Sequence, residues 1–294
     1  MTSEALHITA PAKVNLFLSV GAVAPDGYHP VETVLHALEL ADTVTLAPAN
    51  RLEFSCSHDL GLPHELNLAH RAAVAMGERF GREPRVSIAV EKRIPAGSGL
   101  GGASADAAAV IAGLVTLWGL DPHGPAVIEV ARSLGADVPF FLVGGAARFT
   151  GRGDVLEHAL PAIDAPVVLV RPAEPVPTGE AYAAFDGGEP TPQPSPDEMD
   201  AALRSGDAAA VASRLFNAMT PSSSALVPAI GDVLDLVRGR EGVIAAEMSG
   251  SGSAVFGICD GYDSARECAA HAREAGLWAV ATRFSPHGCV VRPG

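Results

Sequence analysis

Lysine is nearly absent from this chain. Of the 20 basic residues only Lys13 and Lys92 are lysines, so 20 − 2 = 18 are arginines. The guanidinium is the default cation, and each lysine hints at chemistry that a guanidinium does not perform. The scarcity also excludes the Walker phosphate loop, which needs Gly-Lys-Ser/Thr, because no lysine follows Lys92. Positive charge as a whole is short: 20 Lys and Arg against 34 Asp and Glu leave a net charge of −14. Such a balance repels nucleic acid and anionic lipid at long range, so an anionic ligand needs a local cradle. Aromatic residues make up only 5% where hydrophobic residues make up 48%, which predicts an aliphatic core. Cys56, Cys259, Cys268 and Cys289 form no CxxC pair, so neither a zinc site nor a redox couple is indicated and reduced thiols are expected. His58, His64 and His70 are spaced too widely for a metal helix, and the HELNL stretch at His64 only half matches HExxH. No apolar run reaches membrane-spanning length, and MTSEALHITAPAK lacks a basic segment leading into an apolar one. The expectation is a cytoplasmic protein with no nucleic-acid or membrane partner.

What is present reads as short elements in mixed order. Residues 6–20 and 42–56 alternate apolar and polar positions between Pro, Gly and Asn, as strands and hairpins do. Residues 65–80 carry helical spacing with Gly81 as a stop, and 86–90 read as a strand that delivers the chain into RIPAGSGLGGASADAAA (93–109). Ser104 is the expected N-cap of a helix over 105–118, stopped by Gly119 and apolar on nearly every side, hence buried between layers. A second helix is expected near 125–134 and a strand in APVVLVRP. GGEPTPQPSPDE (187–198) is too rich in proline for regular structure and reads as a surface loop. Helical patterns follow near 197–217 and 225–238, then strand, turn, strand, helix and strand to 284. This mixture of hairpins with strand-helix alternation indicates α+β rather than a doubly wound sheet.

Gly97, Gly99 and Gly102 satisfy GxGxxG, but a dinucleotide site also wants an acidic residue ending the next strand. Asp121, the available residue, sits in a turn directly after the helix. Phosphate binding fits better: glycines let successive N–H groups turn inward, and the following helix adds partial positive charge at the same spot. A packing turn alone would need one or two glycines rather than four. Asp106, in the first helical turn, must then point away from a phosphate or face a metal ion. Lys13 interrupts an apolar strand, where a buried ammonium needs a partner, so an ion pair and a catalytic role stand level. Asp137, in GADVPFF, supplies a possible partner or merely caps a turn. Tyr28 and His29, in PDGYHP, are available to stack on a ligand or on their own loop.

PAKVNLFL (11–18), PDGYHPVETV (25–34), IPAGSGLGGASADAAA (94–109), LGADVPFFLVGG (134–145), VPTGEAY (176–182) and MSGSGSAVF (248–256), taken together, resemble the GHMP kinase family. The likeness is greatest to members that phosphorylate a cytidine-diphosphate-linked polyol in isoprenoid precursor synthesis. It implies a two-domain α+β fold: a ribosomal protein S5 domain 2-like ATP-binding domain over 1–158 and a ferredoxin-like α/β domain over 159–294. It implies ATP and Mg²⁺ as cofactors, with the triphosphate wrapped by Pro95, Ala96, Gly97, Ser98, Gly99, Leu100, Gly101, Gly102, Ala103 and Ser104. Asn67 and Lys92 would stand near the nucleotide and Ser104 would touch the metal. Lys13 and Asp137 match the catalytic pair. Asn15, Tyr28, His29, Thr178, Tyr182, Ser249 and Gly250 match acceptor positions, the two tyrosines sandwiching the base. A small-molecule acceptor and a monomer or homodimer are expected. Two positions depart from the pattern: Ala103 replaces a common third glycine, which narrows the loop and is tolerated if φ there is negative, and Asn217 is followed by Ala-Met rather than Asp-Leu.

Overall fold

In a computed structural model the chain is described over residues 5–25, 27–58, 61, 63–188 and 192–294. Met1 to Glu4 of the opening stretch, Asp26 of the PDGYHP turn, and Glu189, Pro190 and Thr191 of the expected proline-rich loop lie outside the described residues. The first sheet is built on a long antiparallel hairpin, β1 (Leu6–Val20) with β2 (Val31–Pro48). The chain continues through β3 (Glu53–Cys56), α1 (Leu68–Phe80), β4 (Val86–Glu91), α2 (Gly102–Trp118), α3 (Pro125–Leu134) and α4 (Val138–Val143). β5 (Ala146–Thr150) and β6 (Val155–Leu160) then extend the sheet from β2. α2 packs on β1 and β2 and against α1 and α4, and its alanine-rich surface from Ala105 to Ala109 is buried, as its all-round apolarity requires.

The chain next forms β7 (Pro166–Arg171), α5 (Thr178–Asp186), α6 (Pro196–Ser205), α7 (Ala208–Ala212), β8 (Phe216–Asn217), α8 (Thr220–Leu226) and α9 (Ala229–Arg238). It closes with β9 (Val243–Met248), β10 (Val255–Cys259), α10 (Tyr262–Glu274), β11 (Trp278–Arg283) and β12 (Val290–Pro293). The second sheet is antiparallel throughout in the order β11-β7-β10-β9, the split arrangement expected of a ferredoxin-like unit. Two later strands return to the first sheet: β8 pairs parallel to β1, and β12 pairs along β1's outer edge. Arg148 ties the halves together, reaching Glu32 at 2.9 Å, Asp197 at 2.7 Å and Asp200 at 3.4 Å.

Three sequence expectations change. Ser104 is not the N-cap of α2; Gly101 is, with φ of 76°, because the glycine loop itself turns the chain into the helix three residues earlier. The helix expected from 65 starts at Leu68, since Asn67 Oδ1 accepts Ala69 N at 2.9 Å and caps it there. The pattern at 197–217 is two helices, ended at Gly206 in the left-handed region and restarted where Asp207 Oδ1 takes Ala209 N. All four cysteines are free thiols. Among the described residues no cluster of three or more His, Cys, Asp or Glu side chains is placed to hold a metal.

Candidate active site

β1 delivers Lys13 and Asn15 to one side, because residues two apart share a face of a strand. Irregularities in its pairing with β2 fall between Pro11 and Lys13 and between Asn15 and Phe17, and such bulges re-aim the side chains they flank. Lys13 is buried, and its ammonium has the partners that burial demands. Nζ donates to Asn15 Oδ1 at 2.8 Å and lies 3.4 Å from Asp137 Oδ2. Asn15 Nδ2 donates to Thr33 Oγ1, whose hydroxyl donates to Phe17 O, each at 2.8 Å. This chain of bonds holds the Asn15 oxygen toward the ammonium. Asp137 precedes α4 without capping it, which removes the turn-capping reading. Its side chain is 34% exposed and lines the same cavity as Lys13.

The glycine loop lies over this pair. Gly97, Gly99 and Gly101 have positive φ of 62°, 77° and 76°. A Cβ at Gly99 would stand 2.2 Å from the Ser249 carbonyl oxygen, and one at Gly101 would stand 2.7 Å from the Phe141 ring and 3.0 Å from Lys13 Cγ. Glycine is therefore demanded by both the backbone and its neighbours. The loop carbonyls are engaged: Ser98 O accepts from Ala254 N, Gly99 O from Ser249 Oγ and Leu100 O from Lys13 N, each at 3.0 Å. Among the described residues none of the amides from Gly97 to Gly101 donates to a protein acceptor. They form a run of N–H donors at the mouth of α2, where the helix dipole is also positive. Ala103 does not have a positive φ, so the condition for tolerating alanine there is met.

Lys92 does not line this cavity. Its Nζ is held between two carboxylates, donating to Asp106 Oδ2 at 2.6 Å and to Asp42 Oδ2. Burial alone would lower the Lys92 pKa, but Asp106 and Asp42 overcome it and raise it. Burial pushes the Asp106 carboxyl up to about 7, Lys92 pulling against this and Asp42 pushing with it. Asp106 thus faces Lys92 rather than a phosphate. This trio props the start of α2, since a Cβ on Gly102 would lie 3.3 Å from Lys92 Nζ.

One cavity of about 320 Å³ gathers Lys13, Asn15, Gly97, Gly99, Gly101, Ser104, Asp137, Thr178, Tyr182 and Gly250 of the expected residues. Asn67, Lys92 and Ser249 stand outside its lining, as do Pro95, Ala96, Ser98, Leu100, Gly102 and Ala103, which shape the loop. Ser249 is fully buried and braces Gly99 instead. From the second half of the chain, Asn217 Nδ2 donates to Met248 O and Gly250 O at 2.8 Å, fixing the Ser/Gly turn, and Thr178 Oγ1 lies 3.1 Å from Ser251 Oγ.

A groove of about 640 Å³ continues from this cavity and carries Tyr28, His29 and Tyr182. Tyr182 stacks on His29 with ring centroids 5.1 Å apart and planes at 27°. His29 is fixed by Nδ1–H donating to Gly21 O at 2.8 Å, with Nε2 3.4 Å from Asp186. Tyr28 lies under Arg152, whose Cζ is 3.4 Å from the ring centroid. The two tyrosines border one groove, and each has a different partner there. Burial, with the Asp137 charge nearby, pushes the Tyr182 phenol up and keeps it neutral. Sequence reasoning missed Thr33, Arg152 and Arg171, whose Nη1 donates to Ala96 O at 3.0 Å. Only the flanking glycines of TGRGD, both at positive φ, marked Arg152.

Family models for the GHMP kinases N terminal domain and the GHMP kinases C terminal match residues 67–145 and 199–276. The chain is 38% identical over 282 residues to a 4-diphosphocytidyl-2-C-methyl-D-erythritol kinase of Pelotomaculum thermopropionicum, covering 94% of this chain and 97% of the relative. It is 38% identical over 278 residues to the protein of that name from Streptomyces coelicolor, covering 92% of each. A crystal structure of 4-(cytidine 5'-diphospho)-2C-methyl-D-erythritol kinase superposes with a TM-score of 0.80 at 36% identity, covering 95% of this chain and 99% of the other. A homoserine kinase from Cytophaga hutchinsonii superposes at 0.76 with 19% identity over 99% of this chain and 98% of its own, a likeness of fold alone. With both halves of the family matched and the glycine loop folded over a lysine-aspartate pair, the chain belongs to the GHMP kinases.

Proposed function

We propose that this kinase transfers the γ-phosphoryl group of ATP to a hydroxyl of 4-diphosphocytidyl-2-C-methyl-D-erythritol, in non-mevalonate isoprenoid precursor synthesis. The observation that carries the acceptor assignment is the junction of two cavities: a reacting cavity at Lys13 and Asp137 opens into a groove bordered by Tyr28, His29 and Tyr182. Such a shape suits a molecule with a base at one end and an alcohol at the other. The names of the curated relatives support the same acceptor. A homoserine-like or mevalonate-like alcohol has no base and no use for the aromatic groove.

Phosphoryl transfer passes through a loose transition state, so positioning and charge neutralisation do most of the work. The amides of Gly97 to Gly101 and the α2 N-terminus would hold the phosphates. Asp137 would orient the acceptor hydroxyl and take its proton as the oxygen bonds to phosphorus and the bond to ADP breaks. A carboxylate is a weak base, so the proton moves late. Lys13 would hold the Asp137 side chain in place and neutralise charge on the transferring group. The Ser104 hydroxyl, which lines the cavity beside the loop, would be the protein's contact to Mg²⁺ held with the phosphates. When bound, the ion neutralises charge on the phosphate oxygens. We assign the 1–158 segment to ATP and the 159–294 segment to closing the cleft.

The test is ADP release measured with the cytidine-linked polyol, the free polyol, homoserine and mevalonate in parallel. Turnover confined to the cytidine-linked alcohol is expected. Preference for a free alcohol would overturn the acceptor and leave the kinase.

A further inference from the structure

Amides converge on a phosphate only if the peptide planes of the loop are held at the right turn. A trans peptide is planar, with its carbonyl and its N–H on opposite sides, and the peptides of the glycine loop are trans. Holding one carbonyl therefore aims the N–H of the residue that follows. Four carbonyls of the loop are held in this way: Lys13 N takes Leu100 O, Ser249 Oγ takes Gly99 O, Ala254 N takes Ser98 O and Arg171 Nη1 takes Ala96 O, each at 3.0 Å. The N–H groups so aimed belong to Gly101, Leu100, Gly99 and Gly97. The three glycines among them line the reacting cavity.

Arg171 differs from the other three donors because it is a cation. It ends β7 and pairs with Trp278 of β11, so it reaches the loop from the second sheet. Nε donates to Pro172 O at 3.0 Å and Nη2 to Ala173 O at 3.1 Å. These bonds fold the side chain back over its own main chain and leave Nη1 for the loop. Arg171 stands outside the lining of the cavity that Gly97 lines. Arg132 and Arg148 face carboxylates, whereas burial lowers the Arg171 pKa with no carboxylate to raise it. The guanidinium stays charged all the same. A half-buried cation matched only to carbonyls is costly, and an anion held across the loop would repay that cost.

We propose that Arg171 is a positioning residue for phosphoryl transfer, which holds the Ala96 carbonyl outward, aims the Gly97 N–H at the ATP triphosphate and sets its own charge behind that amide. The inference rests on the loop being the triphosphate site and deepens that reading. The second sheet then takes part in binding ATP without touching it.

The test compares Arg171→Met, which keeps an apolar stem and removes every donor, and Arg171→Lys with the unaltered protein. Binding of a nonhydrolysable ATP analogue and of adenosine is measured for each, and the amide resonances of Gly97 and Gly101 are followed by NMR as the analogue is added. Both amides should shift in the unaltered protein. In Arg171→Met the Gly97 shift should shrink relative to that of Gly101, which Lys13 N still aims. Affinity for the analogue should fall about 10-fold, the worth of one charge-assisted bond, with adenosine within about twofold of its former affinity. Arg171→Lys, keeping the charge and a donor, should stand between the two. An unchanged ratio of the Gly97 to the Gly101 shift in either variant, or equal losses of analogue and adenosine, would overturn the role of Arg171 and leave the loop as the triphosphate site. An analogue that moves neither amide of the unaltered protein would overturn the loop reading and this inference with it.

Discussion

Gly97 and Gly99 face the same backbone penalty and different neighbours, which makes them a matched pair. Placing alanine at a positive φ costs about 1–2 kcal/mol at either site. At Gly97 nothing more is added, since the nearest atom to a Cβ is Pro175 Cβ at 3.6 Å, an ordinary contact. At Gly99 the Cβ would stand 2.2 Å from Ser249 O and 3.0 Å from Gly252 O, both main-chain atoms. Relieving the first to a carbon–oxygen contact of roughly 3.3 Å needs a shift of about 1 Å. The opposing turn resists: Asn217 holds Met248 O and Gly250 O, and Ser249 N donates to Ala254 O at 2.9 Å. The loop is therefore what moves, sacrificing the bonds from Ala254 N and Ser249 Oγ at about 1 kcal/mol each. Gly99→Ala should lose about 3–4 kcal/mol of stability against about 1–2 for Gly97→Ala. Misplacement by about 1 Å at a reacting site costs on the order of 10²-fold in rate. Denaturant titration and steady-state kinetics in ATP measure both effects. Equal behaviour of the two variants would refute the idea that the Ser249 turn sets the loop's position.

Asp137→Asn should lower kcat by about 10²- to 10⁴-fold with ATP affinity nearly unchanged; retained turnover would remove Asp137 from the chemistry. Tyr182→Ala should raise the acceptor KM by about 5- to 150-fold, the range of one base stack, without moving the KM for ATP; equal effects on both substrates would count against a base in the groove. His36 is buried, and burial lowers its pKa from 6.5 to about 4 against the raising effect of the Ala37 carbonyl. Its Nε2 accepts Ile163 N at 3.2 Å, so the ring is neutral in the fold. Its stabilising contribution is complete above pH 6.5 and is lost as pH falls through 4, a difference of about 3 kcal/mol. The stability difference between the unaltered protein and His36→Asn should therefore shrink as pH is lowered from 6.5 to 4, and a pH-independent difference would refute it.

The strands, the buried α2 and the glycine loop were legible because each rests on local pattern: alternation, all-round apolarity, or glycines where φ turns positive. The short α4 escaped notice because VPFFLV is apolar throughout and too brief to show a period. The pairing of Lys13 with Asp137 could be named but not placed, since the β1 bulges that aim the lysine depend on β2 register. The place of Arg152 at the border of both cavities was not legible, because TGRGD reads as a turn. Lys92 shows the opposite case: its rarity was real, but the structure spends it on Asp42 and Asp106 beneath the loop.

β1 precedes every other described strand, yet its outer edge is paired by segments far along the sequence. Leu6 pairs with Pro293, a separation of 293 − 6 = 287 residues, and Phe17 pairs with Phe216. Closing contacts so distant in sequence is entropically slow. The strand that carries Lys13 is thus closed along Leu6–Thr9 by residues 290–293, and a chain lacking them leaves that stretch of edge unpaired.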